Sequence, residues 1–275
     1  MKNGVLLIGG SPRSGTTAVL QVLNSAPGVF ISSEENLLKS VQVLEKLLDT
    51  RTRRAKALQN GMRELSPRET LTLDSIHSHN FDRSAVWPTL HFIYSHHHAQ
   101  LHPGAALQLW GDKLPAYARE IDQVLSLPGV RYLHVTRNPL DVVNSMLRRL
   151  EAARLGRDWW KSITDFDAML EAWVAAFQAI EQVEARHDVL HLHYEDLVFD
   201  FERSVSGLNG FLHADFDFRN VLVDEPAKHF DRSQLLPEMV RRIAAHSCVQ
   251  RYVERVRPRM ARIPHAAFAL APLLS

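Results

Sequence analysis

Residues Gly9 to Leu23 read GGSPRSGTTAVLQVL and follow directly on the apolar run VLLI, Val5–Ile8. A short apolar run followed by two spaced glycines describes a strand that turns tightly into a helix. Gly10 and Gly15 fill the glycine places of the phosphate-loop pattern G-x-x-x-x-G-K-[ST], and Thr17 fills the hydroxyl place. Such a turn offers backbone N–H groups and a helix N-terminus to an anion. Gly15 is needed for the turn, and Ser14, Thr16 and Thr17 add hydroxyl donors. Thr16 stands where the lysine of nucleotide-hydrolysing loops belongs, which leaves Arg13 as the loop's cation. The plainer alternative is a turn that binds nothing, and this concentration of glycine, hydroxyl and arginine weighs against it.

Working outward, strands are expected at Val29–Ser32, Leu107–Trp110, Tyr132–Thr136 and Val189–His193. Helical spacing separates them, as in Leu37, Val41, Leu44 and Leu48, or in Phe166, Leu170, Trp173, Phe177, Ile180 and Val183. Strands alternating with helices require crossover connections and hence a mostly parallel sheet. The expected fold class is α/β: three-layer α/β/α with a mostly parallel central sheet, of the P-loop nucleotide-binding type, with a helical cap insertion. The chain reads as one domain, 1–275, in which residues 37–106 form the cap. Inside the cap, SPRE places Ser66, Pro67 and Glu69 as a capping box.

A formal net charge of +1 argues against nucleic-acid or membrane-surface binding through bulk charge. Cys248 is the only cysteine, so no intrachain disulfide forms and a reducing compartment suits the chain. The opening MKNGVLLIGG is too short in apolar residues for a signal peptide, and no later stretch approaches a membrane span. A soluble cytoplasmic protein is expected, or a catalytic fragment or ectodomain taken from a longer one.

A second anion site is suggested by RYLHVTRNPLDVVNSMLRRL, Arg131 to Leu150. After the strand, Asn138 reads as an N-cap and Pro139 as the first helical residue. Leu140, Val143, Leu147 and Leu150 form the expected buried stripe, while Asp141, Ser145 and Arg149 recur at four-residue spacing along another face. Arg137 sits at the carboxyl end of a strand, where open α/β sheets bind ligands. With Ser145 and Arg149 it makes a candidate phosphate site; the bland alternative is a solvated face or an Asp141–Arg149 surface pair. Two anion sites on one sheet, one without the Walker lysine, suit a nucleotide phosphorylated on both sides of its ribose rather than ATP.

With both motifs in order, the chain resembles the sulfotransferases that use 3′-phosphoadenosine 5′-phosphosulfate (PAPS). GSPRSGTT is similar to their 5′-phosphosulfate loop and VTRNPLDVVNS to their 3′-phosphate motif, with the family's arginine-to-serine spacing from Arg137 to Ser145. WGDKLPAY and LHYEDLVFD extend the resemblance, which covers Met1 to about Phe211 and is nearest to the tyrosylprotein and bacterial branch. It implies Arg13, Ser14, Gly15, Thr16, Thr17, Arg137, Ser145, Arg149 and Tyr194 as cofactor contacts. The branch's glutamate base lies 21 residues after the loop arginine, which is Glu34, and its catalytic lysine falls on Lys113. The implied reaction is in-line transfer of a sulfuryl group from PAPS to an acceptor hydroxyl or amine, releasing PAP. Glu34 takes the proton, with Glu35 as its competitor, since neighbours on an extended segment point opposite ways. Arg13 and Lys113 stabilise the departing oxygen, so no metal is required.

The acceptor, whether peptide tyrosine, carbohydrate or small molecule, is not encoded legibly, and neither is a homodimer. A P-loop kinase or NTPase-like phosphotransferase lacking the Walker lysine is the rival reading, and a non-catalytic nucleotide-binding module the third. The histidines between 77 and 102, among them His77, His79, His96–His98 and His102, lack the spacing of a metal set and read as surface residues of the cap. RTRRAK, Arg51 to Lys56, reads as a solvated helix face, and the basic amphipathic segment near the C-terminus as a helix packed on the body. Trp159 and Trp160 read as core or pocket wall.

Overall fold

The computed structural model describes residues 4–65, 83–158, 163–222 and 232–260. The SPRE helix start, His77, His79, Trp159 and Trp160 lie outside the described residues. In chain order the elements are β1 (Gly4–Gly10), α1 (Thr16–Leu23), β2 (Val29–Ser33), α2 (Leu37–Leu65), α3 (Val86–Leu101), β3 (Leu109–Lys113) and α4 (Ile121–Ser126). There follow β4 (Val130–Thr136), α5 (Pro139–Arg154), α6 (Phe166–Val183), β5 (Val189–His193), α7 (Tyr194–Phe199), α8 (Phe201–Leu212), α9 (Pro237–Ala245) and α10 (Ser247–Met260). They fall into two compact units, one of Met1–Glu35 with Ala105–Ser275, the other of Asn36–Gly104.

The first unit is built on a five-stranded sheet in the order β2-β3-β1-β4-β5, and every neighbouring pair is parallel. From the central β1 the chain builds first to one side, then crosses to the other. The ends of β1 and β4 therefore flank the switch point where open α/β sheets take ligands. Alternation along the strands sorts side chains between two faces. Leu6, Ile8, Leu133, Val135 and Leu192 pack with α1, α7 and α8 in one buried core. On the other face Tyr132, His134, His191 and His193 meet Trp173 and Phe177 of α6 and Tyr252 of α10. The expected mostly parallel sheet between helical layers is thus what the chain forms.

One strand differs from expectation. β3 runs Leu109–Lys113 rather than Leu107–Trp110, because its last residues, though charged, find partners inside the fold. Asp112 accepts from Ser32 Oγ at 2.7 Å and from the Tyr117 hydroxyl at 2.6 Å, and Lys113 donates to Glu34. On α5 the buried stripe includes Met146, while Leu147 is only half-buried. The basic segment near the C-terminus does pack on the body. Cys248, Val249 and Tyr252 of α10 are buried, and Arg251 and Arg255 pair with Glu181 and Glu184 of α6. Among the described residues no helix is long and apolar enough to cross a membrane.

The second unit pairs α2 with α3. Arg83, in the 3-10 turn just before α3, holds Asp49 of α2 through two hydrogen bonds of 3.0 and 2.6 Å. Arg51, Arg53, Arg54 and Lys56 are exposed on α2. His98 is buried beside His102, and no group of three metal-ligating side chains assembles among the described residues.

The imidazoles on the sheet's second face carry a pH prediction. His134 pairs in register with His191, whose ring stacks on His193 with centroids 4.5 Å apart. Burial lowers His134 and His193 well below the usual imidazole value and takes His191 from 6.5 to about 4, against the pull of Glu184. Their stabilisation is complete above pH 6.5 and declines as pH falls below it, for His191 through about 4, because the unfolded chain takes up protons first. Glu195 acts oppositely: burial raises it from 4.5 to about 7, so its contribution is complete below pH 4.5 and is lost as pH rises through 7. At about 1.4 kcal/mol per pH unit, His191 alone accounts for about 3 kcal/mol, and three imidazoles outweigh one carboxylate. Tm is therefore expected to fall between about pH 7 and about pH 4, and His191→Gln to flatten that profile. A Tm that rises on acidification would contradict the assignment.

Candidate functional site

The loop after β1 is wound by its backbone. Ser14 N–H donates to the Ser11 carbonyl and Val19 N–H to the Gly15 carbonyl, both at 3.1 Å. Gly15 has φ 97°, and a Cβ there would lie 2.2 Å from Cδ2 of Tyr194, so the position demands glycine twice over. Arg13 also adopts left-handed backbone, φ 70°, which for a side-chain-bearing residue costs about 1–2 kcal/mol. That conformation turns Arg13 toward the second motif, where its Nε donates to Ser145 Oγ at 3.0 Å. The two motifs, 132 residues apart in sequence, thus share a hydrogen bond. Ser14 differs from its neighbours. Its hydroxyl is fully buried on the inner side of the loop, beside Gly10.

At the end of β4 the chain turns through Arg137 and Asn138 into α5. Asn138 Oδ1 accepts from Leu140 N–H at 2.9 Å and Pro139 opens the helix, as the sequence suggests. The Arg137 guanidinium lies over the Tyr194 ring, 4.6 Å from its centroid, and the Arg137 carbonyl accepts from Trp173 Nε1 at 2.9 Å. Arg149, nearly three turns along α5 from Pro139, is held by Asp158 at 2.7 and 3.2 Å. Asp141 does not join this face as a partner of Arg149; it is buried and pairs with Arg232 at 2.8 Å.

The third component comes from β2 and β3. Glu34 follows β2 with φ 66°, its N–H donates to the Lys113 carbonyl at 2.8 Å, and its Oε1 accepts from Lys113 Nζ at 2.8 Å. The lysine side chain is 2% exposed and the glutamate 51%, so a buried cation holds an open carboxylate. Glu35 is turned differently: its N–H donates to Asp112 Oδ1 at 3.1 Å.

These parts meet at a cavity of about 560 Å³ whose walls include Arg13, Thr17, Glu34, Arg137, Arg149 and Tyr194, with Gly15 and Thr16 at its loop side. Lys113, Glu35 and Ser14 are not among its described walls, and Ser145 reaches it only through Arg13. Three guanidinium groups converge here. Burial first, and then the charges of Arg149 and Arg137, lower the pKa of Arg13, against the pull of Asp158. Like charges held this close favour an anion among them, and the volume is that of a small-molecule site. The donor set and the missing Gly15 side chain fit an anionic nucleotide; the carboxylate facing them fits removal of a proton.

Sequence reading missed Asp112 and Tyr117, which buttress the Glu34 turn; Trp173 and Glu195, which hold the Arg137 turn; and Asp158. The acid beside the expected lysine in GDK was the signal for Asp112. Nothing local marks the others.

Residues 6–217 match the family model for the Sulfotransferase family. No curated protein matches the chain. Among solved structures, the sulfotransferase domain from the curacin biosynthetic pathway is 17% identical with a TM-score of 0.50, the match covering 93% of this chain and 98% of that one. The sulfotransferase domain of the Synechococcus PCC 7002 olefin synthase is 20% identical, TM-score 0.49, covering 92% and 96%. Mouse sulfotransferase SULT7A1, solved in complex with PAP, is 15% identical, TM-score 0.38, covering 90% and 68%.

Proposed function

The chain belongs to the sulfotransferase family, and from that premise we propose that it moves a sulfuryl group from PAPS to an acceptor hydroxyl or amine. The observation that carries this reading is the convergence of Arg13, from the first loop, with Arg137 and Arg149, from the second motif, on one cavity that also exposes Glu34. A doubly phosphorylated adenosine is the ligand whose charge is divided as these cations are. The loop from Arg13 to Thr17 holds the 5′ end; Arg137, Ser145 and Arg149 hold the 3′ phosphate; Tyr194 supports both.

PAPS, held by these residues, would supply the sulfuryl group. Glu34 takes the acceptor proton on its carboxylate. Lys113, buried behind it, fixes the direction of that carboxylate; its remaining N–H groups would serve the departing oxygen only once the ammonium moves out to the cavity wall on nucleotide binding. Arg13 would face the same oxygen from the loop; removing one donor of this kind lowers kcat by roughly 10²–10³. These residues supply the required charge without a metal. A peptide tyrosine, a sugar hydroxyl and a small phenol or alcohol all suit a single carboxylate base.

A thermal-shift panel in EDTA with 3′,5′-ADP, ADP, AMP and ATP tests the reading. Preferential stabilisation by 3′,5′-ADP is expected, whereas stabilisation by ATP only when magnesium is restored would favour a phosphotransferase. Arg137→Ala is expected to weaken 3′,5′-ADP by about 10- to 100-fold, the loss of a charge-assisted contact of roughly 1.5–3 kcal/mol, and to leave AMP much less affected. Equal losses for the two nucleotides would refute the second anion site.

A further inference from the structure

The geometry points to Glu195 as the residue that positions Arg137 for anion binding. The inference rests on the proposed division of the site into 5′ and 3′ halves.

Glu195 is the second residue of α7, immediately after Tyr194, and is 6% exposed. Its Oε1 accepts the backbone N–H of Asn138 at 2.7 Å, while Oε2 is buried with no hydrogen-bond partner of normal geometry among the described residues. A buried carboxyl with one idle oxygen is unfavourable unless the other oxygen does something specific. Here it fixes the peptide that joins Arg137 to Asn138. That peptide is the hinge between β4 and α5, and its other side is fixed too, since the Arg137 carbonyl accepts from Trp173 Nε1 at 2.9 Å.

The guanidinium end is guided by the residue next door. Tyr194 carries Arg137 over its ring at 4.6 Å and presses the same ring against Gly15. Adjacent residues therefore grip both ends of one arginine, Tyr194 the head and Glu195 the backbone at its root. The charge of Arg137 also favours ionised Glu195, opposing the effect of burial. Rotating the Arg137–Asn138 peptide would swing the guanidinium off Tyr194, and a displacement of that kind is enough to lose most of an oriented ionic contact.

The test is the ratio of two dissociation constants, 3′,5′-ADP against AMP, measured by calorimetry on the full chain. Glu195→Leu removes the acceptor. It is expected to weaken 3′,5′-ADP on the order of 10-fold and to leave AMP within about 2-fold. Glu195→Gln keeps an oxygen at the Oε1 position and is expected to restore the ratio to within about 3-fold of wild type. Should Glu195→Leu not fold, Glu195→Asp carries the same expectation, because its shorter side chain withdraws the carboxylate from Asn138. A general loss of packing would move both nucleotides together and would not be rescued by Gln; that result overturns the inference. A wild-type preference for 3′,5′-ADP that Glu195→Leu or Glu195→Asp retains overturns it alone. Wild-type protein with no such preference overturns the 3′ site and this inference with it.

Discussion

Glu34→Gln is expected to lower kcat by about 10²–10⁴-fold, the usual contribution of a positioned general base. Affinity for 3′,5′-ADP should stay within about 3-fold, because a group that acts only on the acceptor proton contributes to the transition state and not to nucleotide binding. The substitution keeps the shape of the site, at the cost of the counter-charge of Lys113. Glutamine keeps an oxygen to accept from Lys113 Nζ, now 2.8 Å from Oε1, and leaves the backbone bond from residue 34 to the Lys113 carbonyl untouched. Glu35→Gln is the matched control, since the Glu35 backbone is tied to Asp112 and its side chain is not among the described walls of the cavity. Steady-state rates with labelled PAPS and calorimetry with 3′,5′-ADP decide the matter. A parallel fall in nucleotide affinity, or an equal fall in kcat for Glu35→Gln, would remove Glu34 from the role of base.

Gly15→Ala should fail for a different reason, in the ground state. The added methyl would sit 2.2 Å from the Tyr194 ring, and the residue would be held at φ 97°. Left-handed backbone costs an alanine about 1–2 kcal/mol. Overpacking against a buried ring adds roughly 1–3 kcal/mol. A total near 3 kcal/mol corresponds to a Tm lower by roughly 6–12 °C in a domain of this size. Relief comes only by moving the loop or Tyr194, and Tyr194 also supports Arg137. Binding of 3′,5′-ADP is therefore expected to fall below detection together with the loss of stability. An alanine variant that melts and binds like wild type would show that the loop and the ring are not coupled.

The parts of this fold that were legible in the sequence are those whose signal is local. Glycine spacing after VLLI marked the first loop, and Asn138–Pro139 marked the start of α5, because turns and caps depend on a few adjacent residues. The end of β3 was illegible because Asp112 and Lys113 look like loop residues. They are buried only because Ser32, Tyr117 and Glu34, distant in sequence, satisfy them. The same limit hid the Arg13–Ser145 bond and the pairing of Arg149 with Asp158. Helical periodicity placed Asp141, Ser145 and Arg149 on one side of α5. It had no means of giving Asp141 to Arg232 in a segment 91 residues away. Glu34 and Glu35 are chemically alike, and only the left-handed turn at Glu34 separates their directions.

That turn has an evolutionary side. Arg13 and Glu34, exposed members of the proposed site, both occupy backbone states that glycine holds without strain, at φ 70° and 66°. A mutant library screened only for survival on heating would drift toward glycine at position 13, worth on the order of 1 kcal/mol, but not at 34, where losing the carboxylate strips the buried Lys113 of its counter-charge. The winners would be sturdier and inert, so a selection for robust catalysts must score turnover in the same round.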